Sequence, residues 1–305
     1  MPLPEKLLTV VHARAAVQPG WLGLSFAYDP VVIERVKLLP GRKWHKPTRM
    51  WLIPHTPEAL EEVGVCLKPY ARLVIDAALL GAGRQARELE AETLSLKSAG
   101  EQGVRLPEDL KFHTEPFHNQ KVAFSLVVQR EAYALLMHMG TGKTKVMLDL
   151  FGYYKSRAIS LMQQGKTLLP QAWLIVCPVS VMENWRAEAT RHQPGLVIKV
   201  LSGSRQKKIE GLRERADGYV INYESAWRIE KELAKEKWWA IVLDESTKIK
   251  HRATNQAKAI MRLGERAERR YIMTGSPMPN SPLEIFNQIR FLDPHVFGPS
   301  FYAFR

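Results

Sequence analysis

Five consecutive residues, Gly140-Thr141-Gly142-Lys143-Thr144, have the types and spacing to hold a phosphate chain. Glycines let successive backbone N–H groups turn toward an anion, and a helix that starts just after them adds the partial positive charge of its N-terminus. Lys143 would reach the β and γ phosphates, and the Thr144 hydroxyl would ligate Mg²⁺. Farther along, Asp244-Glu245 follows an apolar run. Such a pair suits metal-assisted hydrolysis of a phosphoanhydride: the first carboxylate holds Mg²⁺ through its water shell and the second polarises the attacking water. A third apolar run closes on Thr274-Gly275-Ser276-Pro277, and Gln120, upstream of the glycines, carries an amide that can donate and accept together, as an adenine edge requires. Each has an ordinary reading too. Asp-Glu is a common helix start, Thr-Gly-Ser-Pro a turn, and Gln120 a surface residue.

The elements that must position these residues are legible from residue 113 onward. Short apolar runs at 133–139, 172–177, 197–201, 219–223, 239–243 and 269–273 alternate with helical stretches at 143–156, 180–191, 204–215, 224–236 and 254–264. Strict alternation of this kind implies βαβ units and a mostly parallel sheet with helices on both faces, an α/β fold. Ligands in such sheets bind at the carboxyl ends of the strands, where the glycine loop, the acidic pair and the Thr274 turn all fall.

Composition narrows the classes. The chain has 305 residues with a net charge of +13, of which residues 111–305 carry +12 and residues 1–110 only +1. That excess makes polyanions, nucleic acid first, the expected partners. Two cysteines, Cys66 and Cys177, exclude a disulfide scaffold or a cysteine-cluster zinc site and suit a reducing interior. No apolar run approaches the roughly 20 residues of a membrane span, and the first residues lack the pattern of a secretory signal. A cytoplasmic location is expected, in a bacterial or virus-infected cell rather than a nucleus.

In order, Gln120, the Gly140–Thr144 loop, CPVSVMENW (177–185), INYES (221–225), LDESTKIK (243–250), MTGSPMPN (273–280) and IRFLDPHVFG (289–298) resemble the first RecA-like lobe of the Swi/Snf-type ATPases. These are double-stranded-DNA translocases of helicase superfamily two. The chain departs from that pattern at Met137 and His138, where relatives carry an acidic pair, and at Ser246-Thr247, where they carry Ala-His or close to it. The resemblance implies ATP and Mg²⁺ as cofactors. It gives Gln120 adenine recognition, Gly140 to Thr144 phosphate and metal binding, and Asp244 and Glu245 hydrolysis. It further implies double-stranded or branched DNA as partner, with Asn184, Thr274 and Ser276 near its backbone and the basic run at Lys248 and Lys250 following its phosphates. A second RecA-like lobe, in cis or in trans, would supply an arginine finger, so the chain alone is expected to hydrolyse ATP weakly. Two other readings share the ATP site: a nucleotide-sensing DNA-structure binder without motor activity, and a restriction-type translocase subunit of the same superfamily.

Residues 1–62 are expected to form a small α+β domain, with a helical segment and connector over 63–112 and the lobe over 113–305. SFAYD reads as a strand, PVVIERVKLL as a helix capped by Asp29 with Pro30 at its first position, and RKWHKPTRMWLIP as a hairpin. Residues 84–98 read as a helix ending at Ala-Gly. Arg42, Lys43, Trp44 and Lys46 combine cations with an aromatic ring, a pairing that can bind phosphate and stack bases, whereas Trp51 reads as core. The segment resembles the HepA-related-protein (HARP) domain of annealing helicases, through Tyr-Asp, Ile-x-x-Val-Lys, Pro-Gly-Arg-x-Trp and Trp-x-x-Pro. That resemblance implies recognition of branched or junction DNA.

Overall fold

The computed structural model describes residues 9–16, 21–55, 59–76, 91, 94–95, 104–165, 172–294, 296–297 and 301–304. The chain divides into two compact units, one of Met1–Leu94 with Asp293–Arg305 and one of Ser95–Leu292. The expected helix at 84–98 falls largely outside the described residues.

The first unit is built on a five-stranded sheet in the order β3-β4-β2-β1-β5. Its elements are β1 (Thr9–Ala15), β2 (Trp21–Ser25), α1 (Pro30–Val36), β3 (Lys43–His45), β4 (Met50–Pro54), α2 (Ala59–Leu67) and β5 (Ala71–Ile75). Alternate residues Val11, Ala13, Leu22, Leu24 and Ile53 form one apolar core with Val32 and Val36 of α1 and Val63 and Leu67 of α2. The Asp29 cap forms as its position demands: Oδ1 accepts from the N–H of Val31 (2.9 Å) and Val32 (3.2 Å). The hairpin forms as well, with Trp44 opposite Trp51. Two expectations need correction. SFAYD is strand only as far as Ser25, because Asp29 must leave extended pairing to cap α1. A boundary at 62 would cut α2, and β5 pairs in parallel with β1 in the same sheet, so residues 63–76 complete this unit rather than linking it to the next.

The second unit holds a six-stranded parallel sheet in the order β6-β11-β10-β7-β9-β8. The strands are β6 (Ala132–Leu135), β7 (Trp173–Cys177), β8 (Ile198–Val200), β9 (Gly218–Asn222), β10 (Ala240–Asp244) and β11 (Arg269–Met273). Helices α3 (His118–Val127), α4 (Lys143–Gln163) and α5 (Met182–His192) share a core with Ile175, Cys177, Val242 and Met273. The opposite face, through Leu174, Val176, Ile241, Leu243 and Ile272, packs on α6 (Arg205–Arg213), α7 (Tyr223–Arg228), α8 (Glu230–Leu233), α9 (Asn255–Gly264) and α10 (Ile285–Leu292). Continuous apolar strands are what a sheet covered on both sides needs. Leu106, Leu110 and Phe112 pack against the first of these cores, so this unit begins before residue 113. The expected helix at 224–236 is two, broken at Ile229, and α4 runs seven residues past the expected end at 156. A last helix, α11 (Phe301–Phe304), belongs to the first unit.

Among the described residues no helix is long and apolar enough to cross a membrane.

Candidate nucleotide and metal site

The carboxyl ends of β6, β10 and β11 bring the predicted chemistry to one edge of the sheet. After Leu135 the chain leaves the sheet and turns through Gly140 (φ +77°) and Gly142 (φ +82°) into α4, whose first residue is Lys143. Only glycine takes both angles cheaply, and Gly142 is doubly constrained. A Cβ there would lie 2.2 Å from Nε2 of Gln120. The loop therefore runs directly into the N-terminus of a 21-residue helix, an arrangement that fits a polyphosphate.

Lys143 is 9% exposed, and its ammonium donates to the carbonyls of Met137 (2.9 Å) and His138 (3.1 Å). The lysine thus closes its own loop, with its charge held at the loop's centre. Gln120, also buried, ties α3 to the loop. Its Oε1 accepts from the Phe117 N–H and its Nε2 donates to the Thr141 carbonyl, each at 3.0 Å. One lone pair and one amide N–H of Gln120 remain beyond those two bonds. Thr144 sits half-buried on the first turn of α4.

Asp244 ends β10 as a buried carboxylate. Its Oδ2 accepts from the indole N–H of Trp185 at 3.0 Å, and its backbone carbonyl accepts from the Tyr223 hydroxyl at 2.9 Å. Burial pushes the Asp244 carboxyl above the usual carboxylate range. The Trp185 donation opposes that rise, the Glu245 charge adds to it, and Lys143 draws it back down. Burial and the same aspartate also push the Cys177 thiol up, so Cys177 is an inert core residue. Glu245 takes a left-handed backbone (φ +52°), an uncommon conformation for a non-glycine that turns its side chain off the strand line. There its Oε2 accepts from the Thr274 hydroxyl at 3.2 Å.

A carboxyl held above its ordinary pKa destabilises the folded chain at neutral pH, since the unfolded state ionises at lower cost. Asp244→Asn, which keeps an acceptor for Trp185, is therefore expected to raise the melting temperature near pH 7. The gain should shrink as the pH falls through the raised pKa, where the wild type sheds the same charge. Thermal melts of both proteins from about pH 4 to about pH 8 check the sign.

A second set of bonds joins the acidic loop to the turn after β11. Ser246 Oγ donates to Gln288 Oε1 at 2.6 Å, while Gln288 Nε2 donates to the Pro277 carbonyl at 2.7 Å. Asn287 donates to the Ile249 carbonyl at 2.6 Å, and Lys250 pairs with Glu284 at 2.9 Å. Two expected DNA contacts are corrected by this geometry. Thr274 is fully buried, engaged by Glu245 and by the Ser276 N–H, so it links the turn to the acidic pair and does not face a partner. Lys250 is half-buried in its ion pair with Glu284, which leaves Lys248 and, two residues past Lys250, Arg252 as exposed cations of that run. Asn184 and Ser276 are exposed at the strand edge.

Trp185, the last residue of CPVSVMENW, is fully buried core and also the donor that orients Asp244. Gln288, fully buried, carried no signal in the sequence beyond being polar, and Ser246, also fully buried, stood out only as a departure from the family pattern. In the first unit, Arg42, Lys43, Trp44 and Lys46 are all exposed on or beside β3. Trp44 meets Trp51 edge to face at 5.6 Å, and the Lys43 ammonium lies 4.0 Å from the centre of the Trp21 ring.

Comparison with known proteins agrees with this geometry. The family described as the SNF2-related domain matches residues 118–305, more than half of the chain. A probable ATP-dependent DNA helicase of Arabidopsis thaliana, CHR12, is 29% identical over 166 residues, 52% of this chain and 14% of that protein. Chromodomain-helicase-DNA-binding protein 1-like of Danio rerio is 28% identical over 196 residues, 61% of this chain and 18% of its own length. The chain thus spans under a fifth of these relatives. Among solved structures, the Sulfolobus solfataricus SWI2/SNF2 ATPase core in complex with dsDNA superposes with a TM-score of 0.55 at 25% identity, over 66% of this chain and 40% of that one. With its RecA-like parallel sheet, phosphate loop and acidic pair, the chain belongs to the SNF2-related family of helicase superfamily two.

Proposed function

We propose that the chain binds Mg·ATP and duplex or branched DNA as the first lobe of an ATP-dependent DNA translocase. The observation that carries this is the meeting, at one sheet edge, of a glycine loop with Lys143 at its centre and an acidic pair whose second member is bonded to the neighbouring turn. Lys143 would leave the Met137 and His138 carbonyls for the β and γ phosphates, and Thr144 and Asp244 would hold the metal. Bound Mg²⁺ supplies charge neutralisation at the phosphates. Glu245 would orient the attacking water, and Thr274 would relay the state of that carboxylate to the turn at residues 274–277. Gln120 would read adenine with the lone pair and N–H left to it.

Exposed Asn184, Lys248 and Ser276 are suited to DNA phosphates, as is the Arg42–Lys46 edge of the first unit, where Trp44 adds a stacking surface. The HARP-like pattern of that unit supports selection of branched DNA, in the manner of an annealing helicase acting in repair or replication. Equilibrium titration of the chain with a fluorescent ATP analogue and, separately, with duplex and forked DNA tests the proposal. Binding of both ligands, with the nucleotide dependent on Mg²⁺, is expected; failure to bind either would overturn it.

A further inference from the structure

Two buried charges in α4 have no part in the site described above. Lys145, next to Thr144 in the first turn, is 5% exposed, and Asp149, one turn on, is 2% exposed. The residues around them on the helix, Val146, Met147, Leu148, Leu150 and Phe151, are all buried and apolar. The Lys145 ammonium donates to Asp149 Oδ2 at 2.6 Å and the Gln193 amide donates to Oδ1 at 3.0 Å, so both carboxylate oxygens are engaged. Gln193 follows directly on α5, where its own N–H donates to the Ala189 carbonyl at 2.8 Å. Its side chain lies against Gly152, where a Cβ would come within 2.3 Å of Oε1. Beside it, His192 Nδ1 shares a hydrogen bond with Thr114 Oγ1 at 2.5 Å, and the Lys145 ammonium lies 5.4 Å from the centre of the Phe112 ring.

Burying two charges is costly, and an apolar pair of similar volume is often as stable or more so. Burial accordingly pushes the Asp149 carboxyl up, against the donations from Lys145 and Gln193. Stability alone therefore does not account for the pair. Its geometry does something else. The bonds run from the first turn of α4 through Asp149 to the fixed end of α5, and in a low-dielectric interior such bonds are stiff. The same α5 donates from Trp185, in its own first turn, to Asp244. One helix thus holds both the acidic residue and the helix that begins with Lys143 and Thr144. We infer that Lys145, Asp149 and Gln193 are positioning residues for the phosphate site, their buried bonds holding the first turn of α4 where Lys143 and Thr144 meet a Mg²⁺-bound triphosphate. This rests on the phosphate-site reading above.

The test is calorimetric titration of the intact chain with Mg·ATP and with inorganic tripolyphosphate plus Mg²⁺, alongside thermal melts. The double variant Lys145→Met, Asp149→Leu replaces the pair by apolar side chains, so its melting temperature should equal or exceed that of the wild type. Both ligands should nonetheless bind about tenfold more weakly, the low end of what partners that orient a metal site are worth. Added to Lys143→Ala, the double variant should cost less than it does alone, because it acts through the group already removed. Wild-type affinity in a stable double variant, loss of ATP with tripolyphosphate unchanged, or full additivity with Lys143→Ala would overturn the inference alone. Should the double variant melt lower, Gln193→Met decides, since it keeps the ion pair and frees only its outer anchor. Weakening of both ligands is then expected, and wild-type affinity would overturn the inference. A wild-type chain that binds neither ligand would instead overturn the phosphate-site reading beneath it, and this inference with it.

Discussion

Lys143→Ala is expected to weaken Mg·ATP binding by on the order of 100-fold while leaving affinity for DNA unchanged. The size follows from what the ammonium is. It is the one cation held inside the phosphate loop, 9% exposed, and its present partners are two backbone carbonyls, not a carboxylate. Exchanging those neutral acceptors for phosphate oxygens adds charge–charge attraction to bonds the ammonium already strengthens, in a site partly shielded from water. Losing that exchange removes about 3 kcal/mol, or two decades of affinity. Alanine at the first turn keeps the helix, so the loop and the anion-favouring N-terminus of α4 persist. Residual weak binding is therefore expected, not none. DNA affinity is the control, because the exposed cations proposed to meet phosphates, Arg42, Lys43, Lys46 and Lys248, lie outside the loop. Titrating the variant with a fluorescent ATP analogue and with labelled duplex measures both. If nucleotide and DNA binding vanish together, the division of labour between the two units is wrong.

How much of this was legible in the sequence depended on whether a residue's role is local or set by a partner far along the chain. The phosphate loop is local: two glycines, a lysine and a threonine between a strand and a helix declare their backbone angles and their chemistry at once. The parallel sheet was legible because strands buried on both faces are continuously apolar. The edge of the first unit was not. β5 pairs with β1 from more than fifty residues away along the same unit, and nothing local in ARLVI reveals which sheet it joins. Thr274 and Lys250 were misread for a related reason. A hydroxyl or a cation beside an active-site loop looks available for DNA until its partner is seen, and those partners, Glu245 and Glu284, are brought close only by the fold. Trp185 shows the converse. Its bulk predicts burial correctly, but its indole N–H also needs an acceptor inside the core, and the acceptor it finds is Asp244, the carboxylate proposed to hold the metal.

Turnover of ATP by this chain alone is expected to be slow, and to rise by roughly 10³–10⁵-fold when a second RecA-like lobe completes the site, the range that a supplied arginine is worth in phosphoryl transfer. The groups gathered at the strand edge explain the gap. Lys143 and the α4 N-terminus address charge already present on the phosphates, Asp244 and Thr144 suit the metal, and Glu245 suits the water. The charge that develops between the γ phosphoryl and its leaving oxygen needs a further cation, the part that an arginine from a second lobe would play. The bonded bridge from Glu245 through Thr274 to the turn at residues 274–277, braced by Ser246, Gln288 and Pro277, would then let closure of the second lobe and the state of the nucleotide sense each other. Mixing the chain with the isolated second lobe of an SNF2-related protein, with and without duplex DNA, and following phosphate release measures the effect. Rapid DNA-stimulated turnover by the chain alone would contradict it. Binding of both ATP and DNA with no stimulation by any added lobe would favour the other reading, in which the nucleotide is sensed and not consumed. Ser246 and Thr247 sit where relatives carry Ala-His, so the coupling of hydrolysis to lobe movement is the step on which that choice turns.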